Sequence, residues 1–176
     1  TPRMPRRLYL AGPDVFLGDA PAIARAKLDL CAEHGFEGIF PFDVEASPSA
    51  SGSFQEGVAI YRANLALMRS ADAIVANLTP FRGPGADAGT AFELGFFAAL
   101  ERPIYGYSSS AEDFATRMRA LVGSDPNAVV EDFGHQDNLM LGGAVASHGE
   151  WVTVADGDPA AIAAFEACLR AIPASR

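Results

Sequence analysis

A single acid interrupts an apolar, helix-like segment near the middle of the chain. Residues 86–100 read ADAGTAFELGFFAAL, and in the last ten of them Glu93 is the only residue that is neither apolar nor Gly. On a helix its face is shared by Phe96, Phe97 and Leu100, which follow it by three, four and seven positions. Burying an ionised carboxylate is costly unless partners compensate it, so this placement indicates a functional residue.

A second acid, Asp87, precedes Glu93 by six residues. The simplest interpretation of Asp87 is a helix N-cap, which does not exclude a second role. The simplest interpretation of Glu93 is a buried acid satisfied by a partner such as Tyr9 or Arg82. A carboxylate in an apolar crevice, beside a tyrosine and a second acid, also fits nucleophilic attack at the anomeric carbon of a sugar.

Other candidate side chains are spread over several segments. They are Tyr9, Asp14, Phe16, Asp43 and Asn64. Phe16 is either a core residue or a stacking platform for a flat ligand, and Asn64 is either a local hydrogen-bond node or a ligand contact. The segment RGPGADAG lacks the Lys-Ser/Thr pair of a P-loop and contains an acid, which argues against phosphate binding there.

Strand and helix patterns alternate along the chain. The predicted strands are residues 6–12, 36–43, 71–78 and 102–108, with 127–134 as the candidate for a fifth. The predicted helices are 18–35, 54–70, the segment containing Glu93, 110–122 and 158–172. This alternation predicts an α/β fold: a doubly wound, five-stranded parallel sheet of order 2-1-3-4-5 with helices on both faces. The segment 147–151 is expected only to pack near the C-terminal edge.

The loops that follow the first three strands are polar and irregular. They read GPDVF, DVEASPSASGS and TPFRGPGADAG, and the helix with Glu93 leaves the last of them. In open parallel sheets ligands bind beyond the carboxyl ends of the strands, at the point where the strand order reverses. We therefore expect the candidate residues to meet at that crevice.

Composition limits the classes of protein. The 176 residues, 49% of them hydrophobic, predict one domain over 1–176, with residues 1–5 expected to be flexible or derived from a tag. A net charge of −9 argues against a nucleic-acid partner. Cys31 and Cys168 are expected to be reduced core thiols of a cytoplasmic protein. No segment is predicted to span a membrane, and the scattered histidines suggest no metal site.

Four blocks of sequence carry a family resemblance. They are LYLAGPDVF, FPFD, NLALMRSADAIVANLTPFRGPGADAGTAFELG and EDFGHQDNLML, which together extend over about residues 7 to 142. In this order they resemble the nucleoside 2-deoxyribosyltransferase family, and the element D-x-G-T-x-F-E-x-G is fairly specific to it. The resemblance implies a flavodoxin-like fold and exchange of the base of 2′-deoxynucleosides, without metal or organic cofactor. The expected partners are small-molecule 2′-deoxynucleosides and free nucleobases.

The resemblance also implies roles for matching positions. Glu93 would be the nucleophile that forms a covalent ester, and Tyr9 would orient it by a hydrogen bond. Asp87 would hold the sugar or transfer a proton.

A further set of positions is implied to bind substrate. It comprises Gly12, Asp14, Phe16, Asp43, Glu45, Asn64, Asn138 and Met140. Phe16 would lie against the base, and Asp43 or Glu45 near its edge. Asn138, accompanied by Met140, would complete the site of a neighbouring subunit, which implies a homo-oligomer built from dimers.

One position departs from part of the family, and alternatives stay open. Asn64 stands where some members have an acid, and an amide cannot deliver a proton, so either Asp87 or water protonates the departing base. One alternative function is an N-glycosidase of deoxynucleoside 5′-monophosphates, although Asp14 disfavours phosphate after strand 1. The other is a non-catalytic nucleotide-sensing module, which would not need an ionised Glu93.

Overall fold

The fold is built on one parallel sheet. A computed structural model describes residues 6–41 and 52–173. Its strands are β1 (Arg7–Ala11), β2 (Glu37–Ile39), β3 (Ala73–Asn77), β4 (Ile104–Ser108) and β5 (Gly149–Thr153). Their order is β2-β1-β3-β4-β5 and every neighbouring pair is parallel, which confirms the predicted topology.

Helices cover both faces of the sheet. They are α1 (Ala20–Glu33), α2 (Phe54–Ser70), α3 (Ala88–Ala99), α4 (Phe114–Val122), α5 (Leu139–His148) and α6 (Ile162–Ala171). One buried core lies between helices α1 and α6 and one face of the sheet. The other lies between helices α2, α3 and α5 and the opposite face. A short 3-10 helix, Pro13–Phe16, follows β1. The α/β fold with helices on both faces is therefore confirmed.

The ends of α2 show why its sequence folds as predicted. The Ser53 hydroxyl accepts a hydrogen bond from the Glu56 N–H at 3.2 Å, and the Glu56 carboxylate accepts one from the Ser53 N–H at 2.5 Å. This capping box satisfies two of the N–H groups that a helix start leaves unpaired. At the other end Arg102 donates to the carbonyl oxygens of Met68 and Ala71. The predicted bounds, 54–70, equal the observed ones.

The predicted fifth strand is wrong. Residues 127–134 lie outside every strand, and the Asp125 side chain and carbonyl accept hydrogen bonds from Asn127 and Ala128, which folds the chain into a turn. The fifth strand is Gly149–Thr153, which includes part of the segment interpreted only as packing. Gly149 pairs with Ile104, whose carbonyl oxygen would lie 2.0 Å from a Cβ at this position. Only glycine fits so close to the neighbouring strand.

Both thiols belong to the core between the sheet and the α1/α6 layer. Cys31 and Cys168 are fully buried and unpaired. Burial raises the pKa of the Cys31 thiol to about 12 and raises the pKa of Cys168 as well. Such thiols are poor nucleophiles. Within the described part of the chain, every helix is too short or too polar to cross a membrane.

Candidate active site

The loops after β1 and β3 meet at the carboxyl ends of these neighbouring strands. Ala11 pairs with Ala76 in the parallel register, so the segments 12–19 and 78–87 leave the sheet side by side. The ring of Phe16, in the first loop, stacks on that of Phe81, in the second, with centroids 5.8 Å apart. These two loops therefore lie side by side at the place where the strand order predicts a ligand-binding crevice.

The Glu93 carboxylate is held by Tyr9. The Tyr9 hydroxyl donates a hydrogen bond of 2.6 Å to Glu93 Oε1, a length typical of an O–H donor on an ionised carboxylate. Tyr9 is fully buried on β1, and its ring stacks on Phe97 with centroids 6.0 Å apart. Because an interior strand of the sheet and the Phe97 ring hold the tyrosine in place, its hydroxyl fixes the rotation of the carboxylate.

The face of α3 differs in part from the expectation. The fully buried side chains of the helix are Thr90, Leu94 and Phe97, whereas Leu100 is 41% exposed. Glu93 is half-buried, at the border between this stripe and the solvent. The acid is therefore not sealed in the core, and its position suits a group that must meet a ligand.

Asp87 is the N-cap of α3, as the simplest interpretation predicted. Its Oδ2 accepts hydrogen bonds from the N–H and the hydroxyl of Thr90, at 3.0 and 3.2 Å. The cap lies at the helix start, six residues before Glu93, at the end of the loop that follows β3. A role in substrate binding or proton transfer stays a prediction.

Phe16 belongs to a three-membered cluster at the rim of the crevice. It is 43% exposed, and the Arg82 guanidinium lies 5.2 Å from its ring centroid and 4.7 Å from that of Phe81. Cations are attracted to the faces of aromatic rings, so Arg82 braces both phenylalanines. Arg82 adopts a positive φ of 53°, an uncommon backbone conformation outside glycine.

Asn64 is half-buried on α2, the helix next to α3. Tyr61, one turn earlier on α2, contacts Phe92 with ring centroids 6.1 Å apart, and Phe92 directly precedes Glu93. Arg69 adds a second contact, with its guanidinium 5.6 Å from the Phe96 ring. Asn64 and Glu93 therefore lie on two helices that are connected by these side-chain contacts.

Asp14 points away from the α3 side of the sheet. Its carboxylate is buried and accepts hydrogen bonds from Lys27 Nζ at 2.5 Å and Asn77 Nδ2 at 3.0 Å. Lys27, on α1, also donates to the Tyr107 hydroxyl at 2.8 Å. Burial lowers the pKa of Lys27, and the Asp14 carboxylate opposes this shift. The buried network ties together the ends of β1, β3 and β4, and a substrate role for Asp14 stays a prediction.

Gly12 is required by a close approach. A Cβ at this position would lie 2.7 Å from Cβ of Asn77, at the end of β3. The glycine thus lets the loop after β1 lie close to Asn77 at the end of β3. Asp43 and Glu45, predicted near the edge of the base, lie outside the described residues.

Asn138 and Met140 stand at the start of α5. Asn138 is its N-cap, with Oδ1 accepting hydrogen bonds from the N–H groups of Met140 and Leu141. Its side-chain amide donates to Asp137 at 3.1 Å. Met140 is 74% exposed. The predicted contribution of Asn138 to a neighbouring subunit stays a prediction.

Sequence reasoning missed two buried charges near these residues. Lys27 lies between Ala24 and Cys31 on the buried face of α1. Like Glu93, it is a charged residue on an otherwise apolar helix face, and that pattern could have identified it. Asp137 directly precedes Asn138 in a polar, irregular segment, where periodicity gives no signal. Among the described residues no cluster of three or more His, Cys, Asp or Glu side chains is arranged to hold a metal ion.

Comparison with known proteins decides the family. A sequence model described as nucleoside 2-deoxyribosyltransferase matches residues 8–140, from β1 to the first turn of α5. The chain belongs to the nucleoside 2-deoxyribosyltransferase family. The matched range contains Tyr9, Asp87, Glu93 and Asn138, so the family pattern includes the elements that form the crevice.

Two similar proteins are each 32% identical to the chain in the aligned part, one of them a solved structure and the other an uncharacterized protein. A solved 2-desoxiribosyltransferase from Leishmania mexicana is 32% identical, with a TM-score of 0.66, and the alignment covers 93% of this chain and 98% of that one. An uncharacterized protein of Schizosaccharomyces pombe is 32% identical over 119 residues. The alignment covers 64% of this chain and 54% of that protein, so the chain spans about half the length of this curated relative.

A third protein supports the fold. A conserved protein from Enterococcus faecalis is 21% identical, with a TM-score of 0.59, over 97% of this chain and 98% of its own. At this identity the likeness concerns the fold alone, and it agrees with the flavodoxin-like arrangement of the family.

Proposed function

We propose that this protein transfers the 2-deoxyribosyl group from a 2′-deoxynucleoside to another free nucleobase. The observation that carries the proposal is the hydrogen bond of 2.6 Å between Tyr9 and Glu93, at the crevice beside β1 and β3, in a chain of this family. The similarity to the 2-desoxiribosyltransferase from Leishmania mexicana supports it. Glu93 is the nucleophile of this reaction, and Tyr9 is its orienting donor.

The reaction consists of two displacements at the anomeric carbon. In the first, one Glu93 oxygen forms a bond to C1′ while the bond from C1′ to the base nitrogen breaks. The electron pair stays on that nitrogen, which gains a proton from Asp87 or from water. In the second, a nitrogen of the incoming base bonds to C1′, the ester bond breaks to restore the Glu93 carboxylate, and the base gives its proton to Asp87 or to water. Two inversions retain the configuration.

The cluster of Phe16, Phe81 and Arg82 is the proposed platform for the base. Phe16 is 43% exposed. Its ring orientation is nevertheless fixed, because it stacks on Phe81 and contacts the Arg82 guanidinium. An exposed aromatic ring held in one orientation loses little conformational entropy when a flat ligand stacks on it. Purines and pyrimidines both offer such a face, so this platform accepts either class.

Base exchange is the direct test. Thymidine and adenine are incubated with the protein, and the products are separated by chromatography. Formation of 2′-deoxyadenosine supports the transferase, release of thymine and 2-deoxyribose alone identifies a hydrolase, and binding without turnover identifies a sensor. Repeating the assay with thymidine 5′-monophosphate tests the N-glycosidase alternative.

The nucleophile is tested separately. Glu93→Gln keeps the size of the side chain and removes the charge, so we expect base exchange to fall by at least about 1,000-fold. Glu33→Gln, at the exposed end of α1, is the matched control and should retain full activity. Mass spectrometry of quenched wild-type protein should find 2-deoxyribose on the peptide that contains Glu93.

The proposed assembly is a homo-oligomer built from dimers. Large apolar side chains are exposed on α2, α3 and the first turn of α5: Phe54, Tyr61, Phe92, Leu139 and Met140. Exposed apolar side chains on packed neighbouring helices are typical of protein–protein interfaces. Light scattering after size exclusion tests the assembly. We expect Met140→Lys to reduce the mass, and the control Val129→Lys, at another exposed apolar residue, to leave it unchanged.

A further inference from the structure

Asp137 is a buried carboxylate that the proposed chemistry does not use. Its side chain is fully buried. Oδ2 accepts a hydrogen bond from the N–H of Ala86 at 2.8 Å. Oδ1 accepts two from Asn138, from its backbone N–H at 2.7 Å and from its side-chain amide at 3.1 Å. One carboxylate therefore joins two segments that are 51 positions apart in the chain.

Each of these two segments leads directly into a helix with a candidate site residue. Ala86 precedes Asp87, the N-cap of α3, on which Glu93 lies. Asn138 is the N-cap of α5. Helices α3 and α5 pack against each other on the same face of the sheet. The position of the Asp137 carboxylate thus sets where both helices begin.

Arg117, on α4, ties the same two segments a second time. Its Nε donates to the carbonyl oxygen of Pro84 at 2.6 Å, and its Nη2 donates to that of Gln136 at 2.5 Å. Nη2 also lies 4.0 Å from Asp137 Oδ2. Gly85 leaves room for this arrangement, because a Cβ there would lie 3.3 Å from Asp137 Oδ1. Buried charges therefore hold the loop after β3 against the segment before α5.

This arrangement is costly as a means of stability alone. Burial raises the pKa of Asp137, and its N–H donors and Arg117 act in the opposite direction. Replacing a buried ion pair by packed apolar residues is often neutral or stabilising, so stability does not by itself require these charges. Hydrogen bonds are directional, unlike apolar contacts. Those that Asp137 accepts therefore fix the starts of α3 and α5 in one geometry relative to each other.

We propose that Asp137 is a positioning residue for base exchange: its hydrogen bonds to Ala86 and Asn138 fix Asp87 at the start of α3, the helix of Glu93, and Asn138 at the start of α5. This inference rests on the proposed function. It adds a residue that touches neither sugar nor base and acts through the starts of α3 and α5. Misplacing catalytic groups by about 1 Å can cost about 100-fold in rate, so small movements at these helix starts matter.

The test compares Asp137→Asn with Asp132→Asn, an exposed acid paired with Arg119 in the same segment. The amide keeps the size of the side chain but places an N–H₂ group against N–H donors. In protein shown to be folded by circular dichroism, we expect Asp137→Asn to lower kcat about 10- to 100-fold, with KM for thymidine changed less than about threefold. Asp132→Asn should match wild type. A folded Asp137→Asn with wild-type kcat overturns the inference.

Hydrogen exchange gives a readout that does not depend on activity. We expect faster amide exchange at Ala86 and Leu141 in Asp137→Asn, with the amides of α1 unchanged; unchanged exchange at both positions overturns the inference. If Asp137→Asn does not fold, Arg117→Lys takes its place, because lysine cannot make both hydrogen bonds of Arg117, to Pro84 and to Gln136. Lower kcat and faster exchange support the inference, and wild-type values overturn it. Absence of base exchange in wild type overturns the proposed function instead, and hydrogen exchange then decides whether Asp137 anchors the two helices.

Discussion

The Tyr9 hydroxyl and the Glu93 carboxylate are 84 positions apart in the chain and 2.6 Å apart in the fold. The tyrosine lies on β1, an interior strand of the sheet, and the acid lies on α3, which packs against the same face of the sheet as the Tyr9 side chain. The bond therefore depends on how α3 lies against β1, and it connects the most buried tyrosine of the site to the proposed nucleophile. Everything proposed about catalysis depends on this pair.

Removing the Tyr9 hydroxyl should lower the rate without unfolding the protein. Tyr9→Phe keeps the ring and its contact with Phe97, so we expect little loss of stability. Hydrogen bonds to charged groups contribute about 1.5–3 kcal/mol, which corresponds to about a 10- to 100-fold lower kcat for base exchange. Steady-state kinetics measure this effect. Tyr105→Phe, a buried tyrosine of β4, is the control. A Tyr9→Phe variant with wild-type kcat would show that the bond has no catalytic role.

The capping and chemical roles of Asp87 can be separated. Ser also caps helices, so Asp87→Ser should cost less stability than Asp87→Ala, which is expected to lose about 1 kcal/mol. Both variants lose the carboxylate, and we expect both to lose base exchange to a similar extent.

Chemical denaturation and kinetics together make the distinction. Asp113→Ser, at the N-cap of α4, is the control because it alters an equivalent cap away from the crevice. If Asp87→Ser stays fully active, Asp87 is a cap alone and the proton comes from water.

Mixed oligomers test whether Asn138 serves a neighbouring subunit. Asn138→Ser keeps a capping oxygen for α5, and Glu93→Ala removes the nucleophile, so each variant alone should be nearly inactive. If Asn138 acts across the interface, subunits exchanged between the two variants form sites with both groups intact. We expect base exchange to reappear on mixing. A mixture that stays inactive, although light scattering shows hybrid oligomers, places Asn138 in its own subunit's site.

Asp14 and Lys27 should behave as a coupled pair in stability. Lys27→Met leaves the buried Asp14 carboxylate without its cation, and we expect a loss of about 3–5 kcal/mol in the free energy of unfolding. Adding Asp14→Asn removes the stranded charge and should recover most of that loss. Urea unfolding measures both variants, with Arg25→Met, on the exposed face of α1, as the control. Equal stability of the single and double variants would contradict the coupling.

The buried thiol of Cys31 predicts a loss of stability at alkaline pH. Its pKa is raised from 9.0 to about 12 in the folded protein, so the unfolded chain loses this proton first as the pH rises. Between these values the free energy of unfolding falls by up to about 1.4 kcal/mol per pH unit from this group. Cys31→Ala should weaken the pH dependence above pH 9, although it lowers stability at neutral pH. A stability difference from wild type that stays constant from pH 7 to 10.5 would contradict this assignment.

Local signals in the sequence predicted most of the fold. Short apolar runs located β1, β3 and β4, and helical patterns located every helix of the described residues except α5, which lies in a segment to which the sequence analysis assigned no element. These signals succeed because each depends on contacts within a few residues. The prediction of the fifth strand failed because Gly149–Thr153 is an edge strand that is mostly exposed, so it lacks the apolar run that marks the buried strands.

For the candidate site, the sequence determined the residue types and the tertiary structure decided their partners. Glu93 stood out because an acid among apolar neighbours breaks a local rule, and Asp87 stood out as a helix cap. The sequence offered Tyr9 or Arg82 as partners of Glu93, and the fold shows that Tyr9 reaches it; no local signal showed that Asp14 turns inward to Lys27. Those pairings depend on the order of the strands and on which charged groups become buried. Both are properties of the whole folded chain, so local sequence signals do not contain them.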